Sequence, residues 1–311
     1  MQKDFSIVIP IYNEQESIRE LISNIKRAFS GVKKTYEMIF IDDGSTDKTL
    51  SILKNVRTEN KDIKIYSFRK NLGKSPALML GFARSTGKTI VTLDADLQDD
   101  PSNIMALYQK LTKNGYDIVT GWRKDRKDNI FKIMSSQIFN KIVSVLFGLK
   151  LHDLNSGLKI YKSEAAKDLK IYGGMHRFIP IIAQEMGYKV AEKEILHHPR
   201  KYGFSKYKFT KIFTDVPDLI TIYFLTKYTR RPLHFFGKIG AFVFTIGFII
   251  LLYLSYLRFI GERIGGRPLL LFGVLLVLTG MQIIFTGLLA DLIVNINSKD
   301  DDDFLTKFEQ N

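Results

Sequence analysis

The stretch Thr89–Pro101, TIVTLDADLQDDP, decides how this chain folds. Its first five residues, Thr89–Leu93, are apolar or β-branched, a pattern that is typical of a buried strand. Acidic and amide side chains follow at once, and Pro101 suits the first turn of a helix. We therefore predict a strand, an acidic loop and then a helix over Pro101–Lys113, which together form one unit of an α/β fold.

The same alternation continues on both sides of this stretch. The predicted strands are Phe5–Ile11, Tyr36–Asp42, Ile63–Phe68, Thr89–Leu93 and Asp117–Thr120, and the predicted helices are Glu16–Phe29, Thr46–Val56, Ser75–Ser85 and Pro101–Lys113. Strands that alternate with helices predict a mainly parallel, Rossmann-like sheet covered by helices on both faces. Ligands of such sheets bind at the carboxyl ends of the strands, and the polar clusters of this chain follow its strands.

The acidic loop is the sharpest of these clusters. Asp94 and Asp96 lie two residues apart, and carboxylates this close repel one another unless a cation or hydrogen-bond donors compensate. Two carboxylates with flanking oxygen ligands suit Mg2+ or Mn2+, which would also hold phosphate oxygens of a substrate and neutralise a diphosphate leaving group. A solvated acidic loop that caps the helix at Pro101 is the alternative.

Two earlier clusters, Pro10–Glu14 and Asp42–Asp47, follow the first and second strands. Gly44 allows a tight turn, after which a serine, threonine or aspartate can cap the next helix. A carboxylate here could accept N–H groups of a base or hydroxyls of a ribose. An ordinary strand-to-helix turn explains the same residues equally well.

Charge and composition favour a membrane-bound protein, and the lack of cysteine suits a reducing compartment. The 311 residues carry a formal charge of +14 and no cysteine, which excludes disulfides, thiolate metal sites and cysteine nucleophiles. Half of that charge lies between Arg200 and Lys238, a segment that contains nine lysines and arginines and only two aspartates. A basic segment beside an apolar run favours anionic lipid headgroups over nucleic acid. No basic-then-apolar leader opens the chain, so we expect the first domain to stay in the cytoplasm.

Two uncharged runs, Ile239–Leu257 and Pro268–Ala290, are each long enough to cross a membrane as a helix. The short connection Arg258–Arg267 predicts a hairpin, so both of its ends lie on one side of the membrane. The basic segment before the first run indicates that this side is cytoplasmic. Two buried core helices are the alternative. Residues 207–234 suit either interfacial amphipathic helices or packing on the catalytic part. We therefore predict a catalytic domain over 1–206, juxtamembrane helices over 207–234, a hairpin over 235–297 and an acidic cytoplasmic tail over 298–311.

Six motifs in order carry a family resemblance: PIYNE, IDDGSTD, NLGKSPALMLGF, DADLQDDP, DLNSGLKIY and RKYGFSKY. Together they resemble family 2 glycosyltransferases of the GT-A fold, and within that family the dolichol-phosphate mannose synthases and bacterial polyprenyl-phosphate glucosyltransferases. The resemblance implies transfer of one sugar from a nucleotide diphosphate, of the UDP-glucose or GDP-mannose type, to a polyprenyl or dolichyl phosphate, with inversion. This sequence departs from the family pattern at Ser75, where many relatives have glycine, and at Leu158, where an aromatic residue is common.

The resemblance also implies site residues. Those at the nucleotide are Pro10, Tyr12, Glu14, Asp43, Lys74 and Asp94; those at the metal are Asp94, Asp96 and Gln98; those of the late loop over the diphosphate are Arg200, Ser205 and Lys206. A lipid phosphate is already a nucleophile and needs positioning rather than a base, so basic groups should hold it. Arg123, Lys132 and Ser136 are the candidates, Lys132 standing where the mannose synthases have arginine. Asp96, Asp153 and Arg123 are the predicted catalytic residues.

Several roles stay open at this point. Asp153 could orient the sugar, hold Arg123 or act as a base. His176 and Arg177 suit either the acceptor entrance or an ordinary helix start, and His197 and His198 are interpreted as structural. A processive polysaccharide synthase is the nearest rival function, but the Gln-x-x-Arg-Trp motif of such enzymes is absent and two spans are few for a polymer channel. An inert nucleotide-sugar-binding scaffold is a second rival. A homo-oligomer through the hairpins is compatible with the sequence.

Overall fold

The computed structural model of the chain describes residues 2–124, 142–199, 201–202, 211–229 and 231–297. Its elements in chain order are β1 (Phe5–Ile11), α1 (Ile18–Phe29), β2 (Tyr36–Asp42), α2 (Thr49–Glu59), β3 (Ile63–Ser67), α3 (Lys74–Arg84), β4 (Thr89–Thr92), α4 (Asn103–Lys113), β5 (Ile118–Trp122), α5 (described over 142–147), β6 (Lys159–Lys162), α6 (Ser163–Asp168), a 3-10 turn (Met175–Arg177), α7 (Ile179–Glu185), β7 (Val190–Glu194), α8 (Lys211–Lys227), α9 (Pro232–Phe259) and α10 (Pro268–Asn297).

Seven strands form one mixed sheet in the order β3-β2-β1-β4-β6-β5-β7. The first four strands of that order are parallel, and β7 is parallel to β5, whereas β6 runs antiparallel to both of its neighbours. The predicted α/β class with a mainly parallel sheet is confirmed. Strands β6 and β7 were missed, because both are short and carry lysines or glutamates.

The direction of β6 matters for the site. Thr92 at the end of β4 pairs with Lys159 at the start of β6, and the Thr92 hydroxyl donates a hydrogen bond of 3.0 Å to the carbonyl oxygen of Gly157. Because β6 is antiparallel, the segment that precedes it reaches the same edge of the sheet as the ends of β4 and β5. Asp153 is thereby brought beside the acidic loop.

The main core lies between the sheet and helices α1 and α4. Phe5, Ile7 and Ile9 of strand β1 are buried in this core, and α1 contributes an apolar stripe with helical spacing. Its members are Ile18, Leu21, Ile22, Ile25 and Phe29. Each such side chain stabilises the fold by about 1.5 to 3 kcal/mol when it is fully buried.

The carboxyl ends of β1 and β2 are joined by side chains from their loops. Asn13, which has a left-handed backbone (φ 55°), donates its N–H to the Ser45 hydroxyl at 2.9 Å, and its side-chain oxygen accepts the Thr46 N–H at 2.8 Å. The Thr49 hydroxyl accepts the N–H of Glu14 at 2.9 Å. Asparagine tolerates this backbone conformation better than most residues, and these hydrogen bonds join the two loops into one wall.

The chain divides into two compact units, residues 1–222 and 223–311. In the second unit α9 and α10 pack closely at glycines: a Cβ on Gly240 would lie 2.7 Å from the Gly280 carbonyl oxygen, and one on Gly247 would lie 2.7 Å from the Val277 nitrogen. As the residue number rises in one helix it falls in the other, so the helices are antiparallel. The domain boundaries given above stay a prediction.

By length and composition, two helices in the described residues can cross a membrane, Pro232–Phe259 and Pro268–Ile296. Only 11% of the most apolar window of each is buried, whereas the core helices of a soluble protein are mostly buried. The predicted pair of long apolar helices is thus present, and each extends beyond the uncharged run from which it was predicted.

Candidate active site

The candidate site lies at the carboxyl edge of the sheet, next to the boundary between β1 and β4. Chain order reverses there, since β1 leads through β2 to β3 on one side while β4 lies on the other. Such a switch point opens a crevice between loops and is the usual ligand position in sheets of this kind.

Asp94 lies at the centre of the edge and is held from two sides. The Lys74 ammonium, at the start of α3, donates to its Oδ1 at 2.5 Å. Gly157 lies so close that a Cβ there would be 2.5 Å from Asp94 Oδ2. Burial opposes ionisation, but the charge and hydrogen bond of Lys74 outweigh it and hold the pKa of Asp94 below its usual value. The carboxylate is therefore ionised, and its side chain is still about a third exposed (34%).

Asp96 lies two residues further on, in a loop with a bent backbone. The Gln98 N–H donates to Asp96 Oδ1 at 3.3 Å, and Leu97 between them has a left-handed backbone (φ 61°). Such a conformation is strained for leucine and is most often kept where a site requires it. Asp94 and Asp96 supply the one or two carboxylates with which proteins hold Mg2+ alongside substrate phosphates, so this donor set fits a divalent ion. Within the described residues, no group of three or more His, Cys, Asp or Glu suits a metal by itself.

The rest of the acidic loop is anchored by histidines. Asp99 is buried, accepts the Leu158 N–H at 3.0 Å and lies 3.1 Å from His197 Nδ1. His198 Nε2 lies 3.3 Å from Asp100. Neither carboxylate partner is apparent from sequence spacing, since Asp99 and Asp100 lie 98 residues before the histidines that contact them. Their contacts fasten the loop to the segment after β7, in keeping with the structural role that the sequence suggested.

Arg123 and Asp153 form a bidentate ion pair beside this loop. Arg123 Nε donates to Asp153 Oδ2 at 2.7 Å and Nη2 donates to Oδ1 at 3.0 Å; Nη2 also donates to the Asn155 carbonyl at 3.0 Å. Asp153 is 3% exposed. Burial opposes the charge of Arg123, but Asp153 raises its pKa above the ordinary value. Of the three roles considered for Asp153, the geometry shows it holding Arg123.

Lys159 also lies in the candidate site and was not predicted from the sequence. It is 4% exposed, and its ammonium donates to the Ser156 carbonyl. Burial and the positive charge of Lys74 lower its pKa to about 7, while Asp94 and Asp153 oppose that shift. Lysine is rarely buried without carboxylates nearby. Its position beside apolar residues in a predicted motif, Gly157-Leu158-Lys159-Ile160, was the available signal.

Asp43 lies on the β2 side of the crevice and shapes the loop before α3. Its two carboxylate oxygens accept the N–H groups of Leu72 and Gly73 at 2.7 and 2.9 Å. Gly44 beside it has a positive φ (69°), and a Cβ there would be 2.6 Å from the backbone of Lys70. Pro10, Tyr12 and Glu14 are partly buried at the adjoining end of β1. The predicted nucleotide side thus forms one wall, although the binding roles stay predictions.

His176 lies with Ser75, at the start of α3. The Ser75 hydroxyl contacts the Gly173 carbonyl at 2.8 Å, His176 Nδ1 at 3.1 Å and the His176 N–H at 3.1 Å. Burial and the charge of Lys74 lower the pKa of His176 to about 3. The remaining predicted residues, Lys132, Ser136, Arg200, Ser205 and Lys206, lie outside the described residues.

A family model for Glycosyl transferase family 2 matches residues 6–170, a span that holds Asp43, Asp94, Asp96, Arg123 and Asp153. The chain belongs to glycosyltransferase family 2. It is an enzyme of that family, a glycosyltransferase, and the family resemblance drawn from its motifs is confirmed.

Two curated relatives match this glycosyltransferase almost from end to end. Dodecaprenyl-phosphate galacturonate synthase of Rhizobium johnstonii is 37% identical over 96% of this chain and 90% of its own. Undecaprenyl-phosphate 4-deoxy-4-formamido-L-arabinose transferase of Photorhabdus laumondii is 34% identical over 94% of this chain and 90% of its own. The matches therefore extend beyond the catalytic unit into the apolar helices.

Solved structures support the fold of the glycosyltransferase. Glucosyl-3-phosphoglycerate synthase from Mycobacterium tuberculosis, in a complex with Mn2+, UDP-glucose and phosphoglyceric acid, superposes with a TM-score of 0.54. It is 20% identical and covers 72% of this chain and 79% of that one. This likeness confirms the GT-A type of fold.

Proposed function

We propose that this glycosyltransferase moves a single sugar from a nucleotide diphosphate to a polyprenyl phosphate, giving a phosphate-linked monosaccharide with inversion. The observation that carries the proposal is the near full-length likeness to two kinds of polyprenyl-phosphate sugar transferase. That likeness includes the apolar helices, which would keep the enzyme at the surface where such a lipid lies. The two relatives are named for different sugars, so the donor is proposed only as a nucleotide-diphosphate sugar of the UDP or GDP class.

The donor would bind across the crevice. Asp43 and the end of β1 would hold the nucleoside, and Lys74 would contact the diphosphate. Asp94 and Asp96, with Gln98 beside them, would hold Mg2+ or Mn2+. When bound, such an ion neutralises charge on the diphosphate leaving group. Arg200, Ser205 and Lys206 are proposed for the loop over the diphosphate on the strength of the motif alone.

The acceptor would bind at Arg123. A phosphate monoester carries roughly −1.5 to −2 charge at neutral pH, so its oxygen attacks without a general base and needs positioning. Asp153 and Asn155 occupy Nε and Nη2 of Arg123, whereas Nη1 has no hydrogen-bond partner among the described residues. We assign Nη1 to the lipid phosphate, with Lys132 and Ser136 as proposed further contacts. Asp153 is then a positioning residue that fixes the orientation of the guanidinium.

The proposed location is the membrane, with α9 and α10 as a two-span hairpin and the catalytic unit on the cytoplasmic side. The basic residues before α9 favour that orientation. Of the two rival functions, a polymer synthase is disfavoured by the absent Gln-x-x-Arg-Trp motif. An inert scaffold is disfavoured by the intact Asp94, Asp96 and Gln98, a set of oxygen donors that suits a divalent ion.

Purified enzyme with Mn2+, undecaprenyl phosphate and a panel of UDP- and GDP-sugars tests the proposal. Lipid-linked product should form from at least one donor and disappear in excess chelator. Arg123→Ala should raise the KM for lipid phosphate about tenfold or more, since it removes a charged hydrogen bond, and leave nucleotide affinity nearly unchanged.

Lys124→Ala is the matched control, because it removes an adjacent charge that is 54% exposed and pairs with Glu194; it should change neither constant by more than about twofold. Arg123→Lys, checked for folding by its melting temperature, preserves the charge without the two-pronged geometry. If Arg123→Ala instead loses nucleotide affinity with normal lipid dependence, Arg123 belongs to the donor. Glycosylation of a free alcohol by the wild type would refute the acceptor assignment.

A further inference from the structure

The contacts of the Ser75 hydroxyl determine where the proton of His176 lies. Ser75 Oγ has one hydrogen to donate and three neighbours: the Gly173 carbonyl oxygen at 2.8 Å, the His176 backbone N–H at 3.1 Å and His176 Nδ1 at 3.1 Å. A carbonyl oxygen can only accept and a backbone N–H can only donate. The Ser75 hydrogen must therefore go to Gly173, and its lone pairs receive donors.

It follows that His176 Nδ1 is itself a donor. In a neutral imidazole one ring nitrogen carries the proton and the other carries a lone pair. The ring is kept neutral by burial and by the positive charges of Lys74, Arg177 and Lys159 around it. His176 Nε2 therefore carries the lone pair, and it makes no hydrogen bond with any of the described residues. It is an acceptor in a site whose other groups are mostly cations and carboxylates.

The surroundings of His176 indicate which part of a substrate it faces. Ser75 follows Lys74 in the first turn of α3, and both Lys74 and Asp94 are near enough to shift the pKa of His176. A phosphate or carboxylate oxygen would be repelled by the Nε2 lone pair, whereas a hydroxyl would donate to it. The nucleoside wall at Asp43 lies on the β2 side of the crevice, away from β4 and its acidic loop. The hydroxyl next to Lys74 and Asp94 would then belong to the transferred sugar.

We propose that His176 is a sugar-specificity residue, whose Nε2 accepts a hydrogen bond from a hydroxyl of the donor sugar. Ser75 is the positioning residue that fixes the proton on Nδ1 and so aims the lone pair. This inference rests on the proposed function for the presence of a sugar donor, but the tautomer follows from the three contacts of Ser75 alone.

The tautomer can be measured by NMR of protein labelled with 15N and 13C only in its histidines. The chain has five histidines, and the signal lost in His176→Phe identifies the one of interest. At pH 7 the wild type should show His176 protonated at Nδ1, with Nε2 at the chemical shift of an unprotonated ring nitrogen. Ser75→Ala should remove that bias and give a mixture of tautomers. A wild-type ring protonated at Nε2, or charged, would overturn the proposal.

The sugar contact is tested by affinities for UDP, UDP-glucose and UDP-galacturonate with Mn2+. His176→Phe should leave the affinity for UDP unchanged and weaken the UDP-sugar that the wild type prefers by about 3- to 10-fold, the effect of one neutral hydrogen bond. His176→Gln, which restores an acceptor oxygen, should recover part of that loss. Equal losses for UDP and UDP-sugar, or none, would overturn the sugar contact. Failure of the proposed function would show separately, as wild-type binding of UDP-sugars without transfer to undecaprenyl phosphate.

Discussion

Adding one methyl group at Gly157 should disable the enzyme through Asp94. The Cβ of an alanine would lie 2.5 Å from Asp94 Oδ2 and 2.6 Å from its Cγ, and an ordinary contact begins at 3.4 Å, so the carboxylate must move by about 0.9 Å. Overpacking of this kind costs about 1 to 3 kcal/mol of stability. A displacement of about 1 Å in a site can slow a reaction about a hundredfold, which corresponds to about 2.7 kcal/mol in the barrier.

The assay is transfer of sugar to undecaprenyl phosphate together with the melting temperature of each variant. Gly87→Ala is the matched control, since its Cβ would lie 2.5 Å from the Ser6 nitrogen, at the opposite edge of the sheet. Both variants should lose stability, and only Gly157→Ala should lose turnover beyond its unfolded fraction. In the double variant Gly157→Ala with Asp94→Ala the clash disappears. Its loss of unfolding free energy should therefore be smaller than the sum of the two single losses, by about 0.5 to 3 kcal/mol.

Two results would refute this reasoning. Normal turnover by a folded Gly157→Ala would mean that the position of Asp94 does not matter to the reaction. Strict additivity in the double variant would mean that the alanine clashes with something other than Asp94. The cycle remains informative if Gly157→Ala is poorly folded, because Asp94→Ala should rescue its stability.

Three further predictions concern the metal, the hairpin and His176. Asp96→Asn should abolish metal-dependent transfer yet keep the wild-type melting temperature, and full turnover in this variant or in excess chelator would contradict the metal assignment. Single cysteines replacing Ser298 and Gly265 should be labelled from opposite faces of sealed vesicles, and labelling from one face would exclude the hairpin. The pKa of His176 is lowered from 6.5 to about 3, so between these values only the unfolded chain binds its proton; stability should fall as pH drops through 6.5, and the melting temperature of His176→Phe should fall less over that range.

The parallel half of the sheet was predictable because its strands are apolar throughout. Strands β1 and β2 have the bounds predicted for them, Phe5–Ile11 and Tyr36–Asp42, since both are buried on both faces and end at polar turns. Three of the first four helices start later than predicted, for example α2 at Thr49 rather than Thr46. Asn13, in the loop after β1, forms hydrogen bonds with Ser45 and Thr46 and so holds them outside α2. Such contacts join segments that are distant in the sequence, and a local pattern does not reveal them.

Strands β6 and β7 could not be recognised by pattern. The four residues of β6 begin and end with lysine, and β7 carries three charged residues among five. Their burial or exposure is decided by pairing with β4 and β5, which local composition does not encode. Lys159 was missed for the same reason. A lysine in a short strand suggests solvent until the fold places two carboxylates around it.

The candidate site was predictable as a set of loops but not as a set of pairs. Asp94 and Arg123 follow predicted strands, so their loops were expected to converge at the carboxyl edge of the sheet, whereas Asp153 reaches that edge only through the antiparallel β6, which was not predicted. Nothing in the order of the motifs indicates that Asp153 holds Arg123 by Nε and Nη2, or that Lys74 contacts Asp94. Those partners are set by the antiparallel turn into β6 and by the entry angle of α3.

These pairings explain how a site with so many charges stays folded and keeps hydrogen-bond donors for the proposed phosphates. Lys74 and Arg123 are each held by a carboxylate, so neither contributes an uncompensated buried charge. A carboxylate that orients a cationic side chain also weakens the attraction of that side chain for phosphate. The side chain can still bind phosphate well if some of its N–H groups are not bonded to the carboxylate. Arg123 meets that condition because a guanidinium has five N–H groups and three are committed to Asp153 and Asn155. A lysine at this position would have to divide a single ammonium between Asp153 and the incoming phosphate. The fork of an arginine serves both partners at once, and this is the physical reason to expect that Arg123→Lys, although it conserves charge, will not conserve the affinity for lipid phosphate.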